Sequence, residues 1–123
     1  MKIKILASAL VAAIFSSVLC ASDVCIQQFQ DAQQLLEKAR TTAVLNEKRS
    51  LLKKAYDTLN GTGCNAGTFR MSAIYFLSQA INMADASDVN GADEKTGMAI
   101  DKVKKAINRL ADEMTEREKE YPY

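Results

Sequence analysis

From Asp23 to Asn60 the chain contains neither glycine nor proline, yet its apolar stripe changes phase midway. Cys25, Phe29, Ala32, Leu36, Ala39 and Ala43 step by four and three, the spacing of one helix face. Continued on a straight helix, that stripe would meet Glu47, Ser50, Lys54 and Asp57, all polar. The apolar residues that follow are Leu51, Leu52, Ala55 and Leu59 instead. The offset of about one and a half residues turns the face by roughly 140° at 100° per residue. One helix cannot bury both stripes on one partner, so the chain must break between Thr41 and Asn46, where β-branched residues weaken the helix. The result is an antiparallel helical hairpin.

That hairpin predicts a covalent link. Cys25 opens its first helix, and Cys64 follows the end of the second in the glycine-rich loop Asn60–Gly67. If the second helix returns beside the first, the two cysteines are neighbours and pair as a disulfide. Closing a loop of about 40 residues is worth on the order of 4 kcal/mol in the chain-entropy model.

The amino terminus carries the pattern of an export signal. Met1-Lys2-Ile3-Lys4 is basic, Ile5 to Leu19 holds no charge, and Ala21 and Ser22 are small. Residues 1–22 are expected to be a signal peptide cleaved after Ala21 or Ser22, since the apolar run falls short of the roughly 20 residues of a membrane span. An uncleaved signal, or a lipid on Cys20, would instead tether the protein to a membrane, although Leu19 is bulky for the position before a lipidated cysteine. Loss of Cys20 leaves Cys25 and Cys64 as the only pair, in keeping with an oxidising compartment. The expected location is the bacterial periplasm or the medium.

The remainder, 23–123, reads as a single helical domain. A third helix, Thr68 to Ala84, is apolar nearly all round, as a central helix would be. A polar loop, Asp85 to Asp93, centres on Asn90-Gly91. The fourth helix, from near Asp93–Thr96, aligns Ala99, Ile100, Val103, Ala106, Ile107, Leu110 and Met114 on one face. After Met114 the stripe stops, and 116–123 reads as a frayed, solvated tail. The expected fold is therefore all-α, a small disulfide-stapled four-helix bundle or two antiparallel hairpins.

Composition removes most chemistries. Histidine is absent, and with it the commonest general base, metal ligand and pH switch. A catalytic Cys25 or Cys64 would lack its usual activating partner. Removing Lys2 and Lys4 takes 16 basic residues to 14 against 15 acidic, a net charge of −1. Lys53-Lys54 and Lys102, Lys104 and Lys105 then read as solvated faces, not a nucleic-acid surface. Ser50-Leu51-Leu52-Lys53 and Lys95-Thr96-Gly97 match short motifs of penicillin-recognising enzymes, but the latter belongs on a strand of a large α/β domain.

Asp85, Asp88, Asn90, Asp93 and Glu94 crowd around Gly91 and raise the question of calcium. In the EF-hand register, however, the first and twelfth positions are Ala86 and Gly97. No cofactor or metal is expected, and no enzymatic activity.

The chain reads as a non-catalytic binding or accessory protein that contacts another exported protein, with Tyr56, Arg70 and Tyr75 as the candidate partner groove. Homo-oligomerisation is also open. A periplasmic stress chaperone or inhibitor is the first alternative; without histidine it would sense acid through carboxylates. The second alternative is a tetratricopeptide-like peptide-binding module. It rests on an internal similarity, Leu51–Leu59 against Lys102–Leu110, with four identities in nine. The long loop after the third helix argues against the tight turns of such repeats.

Overall fold

The computed structural model describes residues 21–120, and the predicted signal peptide and Cys20 therefore lie outside the described residues apart from Ala21 and Ser22. Four helices follow in order: α1, Ala21–Thr41; α2, Leu45–Gly61; α3, Phe69–Asp85; and α4, Val89–Glu120. Contacts run α1–α2, α2–α3, α3–α4 and α4–α1, closing a four-helix ring. The connections are short, as antiparallel neighbours require.

Each inner face follows the 4-3 spacing. Phe29, Ala32, Leu36 and Ala39 are fully buried on α1, and Leu52, Ala55 and Leu59 on α2. Ala73, Leu77, Ala80 and Ala84 fill the α3 face, while Ala92, Thr96, Ala99, Val103, Ala106 and Leu110 fill that of α4. More than half of the buried apolar residues are alanines, which let helix axes approach closely while leucines, Val103 and Phe29 fill the space between. The internal similarity has the same origin. Leu52, Ala55 and Leu59 superpose on Val103, Ala106 and Leu110, and all six are core positions. The closed ring fills the inner faces that an open repeat stack would leave as a groove.

The break between α1 and α2 falls where the phase shift requires it. Thr41 and Thr42 turn their hydroxyls back to carbonyls of the last α1 turn, Thr42 Oγ1 donating to Lys38 O at 2.7 Å. Such back-bonding competes with continuation of the helix.

Two expectations are corrected. α3 is not central: it packs only between α2 and α4 in the ring, and Met71 and Tyr75 on its outer side are each 59% exposed. Its apolar excess lies on the surface. The loop expected from Asp85 to Asp93 is three residues long, and Asn90 and Gly91 lie inside α4. α3 ends when Ser87 adopts a left-handed φ of 63°. Ser87 N then donates to Ala84 O at 3.0 Å and Asp88 N to Met83 O at 2.8 Å, a Schellman closure. Asp88 at once caps α4, its Oδ1 accepting from Gly91 N at 3.0 Å. A Cβ on Gly91 would collide with that carboxylate and come within 2.9 Å of Met83 Sδ. The glycine serves the close approach of the cap and marks no turn. At the other end, α4 remains helical through the expected tail as far as Glu120.

Candidate functional site

The Cys25 and Cys64 sulfurs are bonded, with their Cα atoms 5.8 Å apart across a separation of 39 residues. Around this staple lie further links. Thr62 is 4% exposed and donates its hydroxyl to Gln28 Oε1, tying the end of α2 to the start of α1. Arg70 closes α2 itself: Nε donates to Leu59 O at 2.8 Å and Nη2 to Asn60 O at 3.0 Å.

The opposite end is closed by a residue that sequence reasoning missed. Lys48 occupies a core position on α2, four residues before Leu52, and is 2% exposed. Its Nζ donates to Ala39 O at 2.7 Å and pairs with Asp93 Oδ1 of α4 at 2.6 Å. One ammonium thus satisfies an orphan carbonyl of α1 and joins three helices. Arg49 next to it reaches Asp85 Oδ1 at 2.8 Å, with both partners more than a third exposed. The signal for Lys48 was its own position: it begins the 48, 52, 55, 59 stripe as a cation.

These contacts also settle the roles of the acidic cluster. Asp85 pairs with Arg49, Asp88 caps α4 and Asp93 pairs with Lys48. Among the described residues, no three Cys, Asp or Glu side chains converge as a metal-binding group. Thr96 of the Lys-Thr-Gly match is buried and bonds Ala92 O at 2.7 Å, while Ser50 stands exposed on α2.

The three candidate groove residues differ in their hydrogen-bond partners, although Arg70 Nη1 also reaches Met71 Sδ at 3.7 Å, one helix turn from Tyr75. Tyr56 is half-buried against the core. Arg70 is committed to the carbonyls closing α2. Tyr75 stands on the outer face of α3, its ring edge-on to Phe76 with centroids 5.5 Å apart. No hydrogen bond joins the three among the described residues.

Tyr75 stands on the outer surface of α3. Between Arg70 and Asp85, α3 carries no charged residue. Met71, Tyr75 and Asn82 are exposed on it and Ser72, Ser78 and Gln79 are half-buried, whereas the outer faces of α1, α2 and α4 all bear both signs of charge. Gln79 Nε2 donates to Tyr75 Oη at 3.0 Å, and Gln79 Oε1 is buried without a hydrogen-bond partner among the described residues. Beside this face, at the seam with α4, Phe76, Gly97 and Met98 line a shallow depression rimmed by both signs of charge, Arg40 and Lys102 with Glu94 and Asp101. Lys95 Nζ stands 5.8 Å from the Phe76 ring centroid.

No helix of the described residues is long and apolar enough to cross a membrane. No protein-family model matches the chain, and neither a curated protein nor a solved structure matches it significantly.

Proposed function

We propose that this is a small exported, non-catalytic accessory protein that works by contacting another exported protein through the outer face of α3. The observation that carries this reading is the uncharged, solvent-facing row around Met71 and Tyr75, each 59% exposed, on a bundle whose other outer faces are charged. Aromatic and methionine side chains grouped on a surface are the usual anchors of protein contacts. The interior supports the same reading, because its core side chains are close to fully buried, leaving the surface to do the work. The Cys25–Cys64 link favours an oxidising compartment, as does the basic-then-apolar start of the chain.

Mild crosslinking of the tagged protein in its host, followed by mass spectrometry, tests this reading. A stoichiometric exported partner, lost on Met71→Ala and Tyr75→Ala substitution with the fold retained, is the expected result. A partner retained by both variants would remove α3 from the reading. Many substoichiometric clients would point to a chaperone.

A further inference from the structure

We propose that Asn60 is a site of spontaneous deamidation, through which the end of α2 gains a negative charge as the protein ages. The sequence holds two Asn-Gly pairs, Asn60-Gly61 and Asn90-Gly91. Asparagine is a thermolabile residue, most of all before glycine, which has no side chain to hinder attack by its own amide nitrogen. The two pairs are alike as dipeptides, but the fold treats them oppositely.

The reaction is an intramolecular acyl transfer. The glycine amide loses its proton to solvent, and its nitrogen attacks Cγ of the asparagine. The new C–N bond closes a cyclic imide, while Nδ2 takes up a proton from water and leaves as ammonia. Water then opens the imide at either carbonyl, giving an aspartyl or an isoaspartyl residue. Cyclisation needs an amide that ionises, a backbone free to turn and an accessible side chain.

Asn60-Gly61 meets these needs. Deprotonation of Gly61 N moves charge onto the Asn60 carbonyl oxygen, because both belong to one peptide group. That oxygen accepts from Arg70 Nη2 at 3.0 Å, and Arg70 Nε anchors the guanidinium on Leu59 O at 2.8 Å. A fixed cation placed where negative charge develops stabilises it. No carboxylate pairs with Arg70 among the described residues, so its charge is not offset. Gly61 is the final residue of α2, and Thr62 is already extended at φ −75° and ψ 140°. Only the last turn, the part of a helix that frays most easily, has to open. Asn60 and Gly61 are exposed, and a Cβ on Gly61 would meet nothing within 4 Å.

Asn90-Gly91 has the reverse surroundings. Gly91 N donates to Asp88 Oδ1 at 3.0 Å, so a carboxylate holds the proton that must leave and repels the charge that must form. Gly91 is also wedged against its neighbours, since an added Cβ would come within 2.9 Å of Met83 Sδ. The backbone cannot turn there without breaking the cap of α4.

Incubation of the disulfide-bonded protein at mildly alkaline pH, followed by peptide mapping that separates aspartyl from isoaspartyl products, tests this. In the native protein, position 60 is expected to convert about tenfold faster than position 90, and in denaturant the two rates should converge. Arg70→Met should slow position 60 in the folded protein and leave its rate in denaturant unchanged, whereas Asp88→Ala should speed position 90. If Arg70→Met does not fold, the native ratio in the wild type and the Asp88→Ala variant still decide. No conversion at position 60, equal native rates, or a faster position 90 overturns the proposal. So does a folded Arg70→Met variant with an unchanged rate at position 60, or an Asp88→Ala variant with an unchanged rate at position 90.

Discussion

The ammonium of Lys48 lies 2.6 Å from the carboxylate of Asp93, 45 residues further along the chain, and is 2% exposed. A cation in that position would be costly alone. It is stable there because Asp93 neutralises it and Ala39 O accepts a second hydrogen bond at 2.7 Å.

The pair should behave asymmetrically on mutation. Asp93→Ala strands a buried charge and is expected to cost about 2–4 kcal/mol. Lys48→Met keeps the packed stem and leaves a carboxylate that is one-third exposed and can be hydrated, so it should cost less. The double variant is expected to be more stable than Asp93→Ala alone. Denaturant unfolding of the three variants reads the cycle, and simple additivity would contradict the arrangement.

Reduction of the Cys25–Cys64 bond should lower stability by about 2–4 kcal/mol without abolishing helicity, because the Thr62–Gln28 and Arg70 contacts still hold that end. Hydrogen exchange under reducing conditions should rise first at the start of α1 and in the 62–68 connection. Uniform acceleration across all four helices would show that the staple does more than close one end.

Ser87 is exposed and holds a φ of 63°, a conformation that costs a non-glycine residue about 1–2 kcal/mol. Ser87→Gly should therefore stabilise the protein by about 0.5–1 kcal/mol, the relief being partly offset by the greater entropy of unfolded glycine. For a domain of this size that raises Tm by several degrees. A lower Tm would contradict the Schellman geometry.

Gly91 should show a reversal. In the wild type, Gly91→Ala crowds the Asp88 cap and sacrifices roughly 1 kcal/mol of capping, cancelling the gain in helix propensity. Once Asp88→Ala has removed the cap, the same substitution should be stabilising. Thermal melts of the single and double variants check this. An equal effect in both backgrounds would mean that Gly91 and Asp88 are not coupled.

Much of the fold was legible because it depends on periodicity. The phase shift between Ala39 and Leu52 forced the hairpin, and the hairpin brought Cys25 to Cys64. What escaped depends on tertiary partners. Lys48 stands as a cation at the head of the 48, 52, 55, 59 stripe, and only its pairing with Asp93 explains why it is buried there. Asn90-Gly91 has the composition of a turn, and only the cap from Asp88 explains its place within α4. The breadth of apolar residues on α3 suggested burial on all sides, whereas Met71 and Tyr75 face outward. Tyr75 was singled out with Arg70, but its bond to Gln79 and the closure of α2 by Arg70 depend on tertiary geometry that spacing does not show.

The most direct test of the role given to α3 is a photo-crosslinking residue placed at position 75 in the living host, compared with one at the exposed position 104 of α4. Discrete crosslinked species from position 75 that contain another exported protein and are absent from position 104 are the predicted result. No adduct from position 75, or the same adducts from both positions, would contradict it.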